Sequence, residues 1–114
     1  MIKNISAVIL TILLSCFLSA CVTTRATSSI KTAAELQQGK YYFEAGNYKD
    51  AMRNLLPYAA DGNKEAQYAV GYMYYYGYGV TPDRETGYFW IKRSANQQYE
   101  PAVKALTIMS SAKR

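Results

Sequence analysis

The stretch "AVGYMYYYGYGVTPDRETGYFW", Ala69 to Trp90, decides how this chain folds. Five of the seven residues from Tyr72 to Tyr78 are tyrosine, a residue that favours strands. The surrounding period is helical, however. Ala66, Ala69, Val70, Met73 and Tyr74 fall on one face of a helix spanning about Lys64 to Tyr76. Gly77 and Gly79 then permit backbone angles that a Cβ would forbid, and they end that helix. Thr81 is expected to cap the next helix, with Pro82 at its favoured first position and Trp90, Ile91 and Ala95 as its inner stripe. The tyrosine run thus belongs to an all-α chain.

Working outward, the chain divides into helical hairpins. A first helix over about Ala33 to Ala45 stops at Gly46; Asn47 is placed to cap a second, whose start Asp50 favours. That second helix carries Ala51, Leu55 and Ala59 at i, i+4, i+8, and "DGN" at 61–63 supplies its stop and the next start. Pro101 opens a short fifth helix with Ala102, Ala105, Leu106 and Met109, suited to covering the end of a stack. The hairpins repeat. A shift of 36 residues aligns Ala51 with Gly87, Leu55 with Ile91 and Ala59 with Ala95; a shift of 32 aligns Gly39 with Gly71 and Tyr42 with Tyr74. The difference of four residues falls in "YGVTPD".

From Lys64 to Ala102 the chain resembles the Sel1-like repeat, a relative of the tetratricopeptide repeat. The residues that carry the likeness are Gly71, Tyr74, Gly77, Gly79, Val80, Asp83, Trp90 and Ala95. The likeness extends more loosely from Leu36 to about Leu106. It implies a short α-solenoid of about five helices in which these motif residues serve packing. Two departures stand out. Gly87 replaces the usual Ala, which weakens a helix by about 1 kcal/mol, and "SANQQ" from Ser94 replaces the usual "AAxQG". Such stacks normally need three or more units, so weak self-association of this short one is an expectation.

The first 20 residues read as a secretory signal. Lys3 precedes an apolar run from Ile5 to Phe17, too short for a membrane span of about 20 residues. "LSAC" resembles the bacterial lipobox and nominates Cys21 for lipidation; the competing "LLSC" at Cys16 would cut the apolar run short. Residues 21–32 then form the lipidated Cys and a Ser/Thr-rich tether reaching roughly 35 Å when extended, and 33–114 the repeat domain. Val22, rather than Asp, after the Cys implies outer-membrane sorting by analogy with Gram-negative lipoproteins. The expected location is a bacterial cell envelope.

Chemistry narrows the function. The chain has no His, and neither of its two Cys lies beyond Cys21, so a conventional zinc site and His-based acid/base catalysis are excluded. Asp83 and Glu85 point to different helix faces, and Ser94, Ser110 and Ser111 have no activating base. No cofactor is expected. The +5 formal charge falls to +2 from Ala33 onward, ten Lys/Arg against eight Asp/Glu, without the basic face of a nucleic-acid binder. A Cys-rich branch of the resembled family is associated with penicillin binding or hydrolysis. This chain lacks the helix-linking cysteines, which leaves an amide or lactam hydrolase the least favoured reading.

Tyr68, Tyr72, Tyr75 and Tyr76 make a second stripe at i, i+4, i+7, i+8, displaced from the packed one that holds Tyr74. The resemblance implies that this stripe lines a concave, partner-binding face, joined by Leu36, Lys40, Phe43 and Glu44 from the first hairpin and Lys104 from the last helix. The expected function is a non-enzymatic, lipid-anchored adaptor holding a protein or peptide. The alternative is a structural envelope lipoprotein binding cell-wall glycan, because aromatic rings also stack on sugars. A third use of the rings is to cover the core of a small stack.

Overall fold

The structure, a computed structural model, describes residues 33–112. The expected signal, Cys21 and the tether lie outside the described residues. Five helices follow one another: α1 (residues 33–44), α2 (Tyr48–Ala60), α3 (Lys64–Tyr76), α4 (Arg84–Asn96) and α5 (Glu100–Ser111). No strand occurs among the described residues. The central helix α3 packs against both α2 and α4, and α4 against α5, the nearest-neighbour stacking of a short α-solenoid.

Local chemistry explains most boundaries. Asn63 Oδ1 accepts the Ala66 N–H at 2.8 Å and caps α3, while Gly77, at φ 73°, closes its other end. Two expected caps differ. Asn47 precedes α2 without a side-chain cap bond; its Nδ2 donates instead to Asp50 at 2.8 Å. The cap of α4 is Asp83 rather than Thr81, and Pro82 lies before the helix. Asp83 Oδ1 accepts the Thr86 N–H at 3.1 Å, and Oδ2 accepts the Thr86 hydroxyl at 2.7 Å. These bonds hold the Asp83 carboxyl below its usual range. The start is displaced because the loop closes tightly: the Asp83 N–H donates to Tyr74 O at 2.8 Å.

The packing repeats with the sequence. A Cβ built on Gly39 would lie 2.8 Å from Leu55 Cδ2, and one on Gly71 would lie 2.7 Å from Ile91 Cγ1. In each hairpin a glycine of the first helix therefore seats an aliphatic residue of the second, Leu55 and Ile91 both being fully buried. Around them lie two clusters. The first gathers Ala51, Met52, Leu55, Ala59, Ala66, Ala69, Val70 and Met73; the second joins Ile91 to Ala102 and Met109.

The inner stripe of α4 differs from expectation. Gly87, Ile91 and Ser94 are its buried row, and Trp90 and Ala95 are half-buried. Trp90 packs on the first cluster from outside, with the Arg93 guanidinium 5.4 Å from its ring. Tyr74 is likewise half-buried against that cluster. Ser94 Oγ donates to Lys64 O at 2.6 Å. Buried Gln67 donates to Ala59 O at 3.1 Å and accepts from Gln97 at 2.8 Å, and Gln97 also donates to Gly62 O at 3.0 Å. Two residues of "SANQQ" thus clamp the α2–α3 turn to the end of α4.

A third residue of that run, Gln98, stands where the resembled repeat has Gly and adopts φ 58°. A left-handed non-glycine residue costs roughly 1–2 kcal/mol, part of which Gly would return as unfolded-chain entropy. Gln98→Gly should therefore stabilise the protein by about 0.5–1 kcal/mol, read as a rise of a few degrees in thermal melting. A lower melting point would mean that the Gln98 side chain holds the α4–α5 turn in a way its backbone angle does not reveal.

Candidate functional site

Tyr68, Tyr72 and Tyr76 recur one turn apart along α3 and form one wall of a groove; Pro101, Lys104, Ala105 and Ile108 of α5 form the other. Its volume is about 450 Å³. Ring centroids are 6.1 Å apart from Tyr68 to Tyr72 and 4.7 Å from Tyr72 to Tyr76. Tyr75, 100° round the helix from Tyr76, lines a separate hollow of about 660 Å³ with Arg84, Glu85 and Tyr88. The Arg84 guanidinium lies 5.5 Å from the Tyr75 ring. Met109 reaches both spaces. The four-tyrosine stripe is therefore divided between two surfaces.

The other nominated residues take several places. Leu36 and Phe43 are half-buried against the first cluster. Phe43 also meets the Tyr72 ring edge-on at 5.8 Å, backing the tyrosine row from α1. Lys40 pairs with Glu65 of α3, and Glu65 raises the pKa of its ammonium, first through their hydrogen bond. Glu44 is exposed and adds a further attraction to Lys40. Lys104, at the groove, pairs with Glu100 at 2.6 Å, one turn away on the same helix, and holds that carboxyl below its usual range. The cationic handles are thus already compensated.

Three rings join that the periodicity did not nominate. Tyr78 stacks on Tyr48 with centroids 4.8 Å apart and planes at 14°, and also meets Tyr72 at 5.8 Å and Tyr76 at 5.9 Å. Tyr99 meets Tyr68 edge-on at 5.7 Å. The Tyr48–Tyr78 stack exists because the Gly79 loop rests on the start of α2: a Cβ at Gly79 would lie 2.8 Å from the Tyr48 carbonyl carbon. Glycine at 79 was legible; where its loop would land was not.

Burial raises the phenol pKa values of Tyr68 and Tyr72 first, and neighbouring tyrosines add to the effect. Both stay protonated donors at neutral pH. Tyr76 is 48% exposed. The groove combines three tyrosine rings with aliphatic side chains and the exposed Lys104–Glu100 ion pair, a composition typical of protein interaction surfaces.

Residues 64–99 match the family model described as Sel1 repeat. The match begins at the first residue of α3 and ends at Tyr99, which precedes α5, so it contains the tyrosine wall of the groove. No curated protein matches the chain.

Proposed function

On the premise that the chain carries a Sel1 repeat, a module that generally mediates protein–protein binding, we propose that it is a lipid-anchored envelope adaptor that holds a protein partner in the α3–α5 groove. The observation that carries this reading is the row Tyr68, Tyr72 and Tyr76 facing Ile108 across an open space whose lysine is already paired. Rings buried on binding are typical interface anchors. The lipobox-like "LSAC" supports anchoring at Cys21, and Val22 supports the outer membrane.

A crosslinking pull-down from cells expressing the intact chain, paired with membrane fractionation, tests both halves. Tyr76→Ala should leave stability within about 1 kcal/mol, because the ring is half-exposed, and should remove at least one partner seen with the wild type. Cys21→Ala should abolish lipid labelling and release the chain from the membrane fraction. If Tyr76→Ala and Tyr72→Ala both retain every captured partner per folded molecule, the groove is not the binding surface. If labelling persists in Cys21→Ala, the anchor is elsewhere.

A further inference from the structure

The outer side of α4 carries a surface that the groove does not use. Phe89 stands at the middle of that helix and is 51% exposed. Trp90, the chain's one tryptophan, meets it edge-on with ring centroids 5.2 Å apart. One turn on, the Arg93 guanidinium lies 5.6 Å from the Phe89 ring and 5.4 Å from the Trp90 ring. Lys92 and Arg93 are exposed, and neither pairs with a carboxylate among the described residues, whereas Lys40, Arg53 and Lys104 each do. The one acid of α4, Glu85, lies about two turns away from them at the Tyr75 hollow. Neither hollow described above is lined by Phe89, Trp90, Lys92 or Arg93. The surface is therefore open aromatic area beside uncompensated positive charge, without the concavity that a small ligand requires.

Its place in the stack adds a direction. Tyr58, near the end of α2, shares a hydrogen bond with Glu35 at the start of α1. Gln97 reaches Gly62 O at 3.0 Å and Ser94 reaches Lys64 O at 2.6 Å, which brings the end of α4 to the α2–α3 turn. Arg93, in the last turn of α4, thus lies at the end of the stack where the chain enters α1 from residues 21–32. A segment of that length spans roughly 35 Å at most, so lipid on Cys21 would hold this end within that distance of a bilayer. Lipid phosphates accept from guanidinium and ammonium groups, and the headgroup zone takes Trp and Phe rings flanked by Lys and Arg. Confinement by the tether raises the local lipid concentration enough for a small patch to engage. An acidic partner protein would match the charge but would not be held there in advance.

We infer that the outer face of α4, centred on Phe89 and Arg93, lies against an anionic phospholipid surface. The inference rests on the lipid-anchored reading above and specifies which face the anchored domain turns to the bilayer. Trp90 is a built-in reporter. The intact chain is extracted from membranes in detergent and reconstituted into phosphatidylcholine vesicles with or without phosphatidylglycerol, both containing brominated acyl chains that quench tryptophan on contact. Flotation measures attachment, and Trp90 emission measures docking. Emission should fall about twofold in the anionic vesicles, and much less in the neutral ones. Phe89→Ser, and Lys92→Gln combined with Arg93→Gln, should each remove most of this quenching. Lys49→Gln, an exposed cation at the start of α2 and so at the opposite end of the stack, should leave it unchanged. Circular dichroism confirms that each variant is folded.

A chain that floats with the vesicles while Trp90 stays unquenched would overturn the inference and leave the anchored reading intact. Equal quenching in anionic and neutral vesicles would overturn it as well, as would variants at Phe89, Lys92 and Arg93 that behave like Lys49→Gln. A chain that floats with neither vesicle would overturn the anchored reading and the inference together.

Discussion

Gly87→Ala is expected to destabilise the protein by about 2–3 kcal/mol, although the substitution improves helix propensity and restores the residue usual in the resembled repeat. A Cβ at position 87 would lie 2.6 Å from Tyr75 N, 2.7 Å from Tyr75 Cβ and 2.8 Å from Gly71 O. Two of these atoms are backbone and the third is a Cβ fixed to it, so no flexible side-chain end can move aside. The helices α3 and α4 must separate along the contact where Gly71 and Gly87 cross. Overpacking costs typically 1–3 kcal/mol or more, and backbone obstruction puts this site at the upper end. About 1 kcal/mol returns as propensity. A fall of roughly 10–20 °C in melting temperature should follow for a domain of this size. An unchanged or raised value would mean that the two helices part without cost, and that Gly87 is a weak point of α4 after all.

Leu55→Ala should be the most damaging truncation in the first hairpin, at about 3–4 kcal/mol. Leu55 is fully buried in the first cluster and is also the surface on which α1 rests at Gly39. The whole stability of a domain this small is only about 4–12 kcal/mol, so the variant should be partly unfolded near 37 °C. The loss should also be uneven. Amide exchange in α1 should quicken more than in α4, which packs around Ile91 in the second cluster. Leu55→Met keeps the volume and should cost less than about 1.5 kcal/mol. A Leu55→Ala loss below 1 kcal/mol, or exchange that quickens equally in α1 and α4, would contradict the nearest-neighbour picture of this stack.

The pairing Gly39–Leu55 and Gly71–Ile91 recurs at the shifts that align the sequence, 32 for the glycines and 36 for the aliphatics. The first hairpin, which precedes the matched residues 64–99, is thus tied to the second by a shared packing device. Ala51 is the counterpart of Gly87 and is fully buried with its Cβ in place. Position 87 has no room for a Cβ, whereas position 51 carries one.

By itself the sequence determined the helices, the hairpin register and most of the first core. Lys64 to Tyr76 is the helix that its apolar period, its Asn63 cap and its Gly77 stop predict, because each of these signals acts between residues a few positions apart. Only the tertiary structure decided what each ring and each cap faces. Tyr75 parts from Tyr76 because α5 divides the space before them, with Met109 at the boundary. Tyr48 joins the tyrosine row because the Gly79 loop rests on α2. Asp83 displaces Thr81 as a cap because its own N–H is drawn back to Tyr74. Gly87 and the Gln67–Gln97 clamp answer to atoms of other helices, 30 residues away for the glutamine pair. Periodicity reports which face of a helix is apolar, whereas the identity of the surface opposite is set by contacts that lie far along the chain.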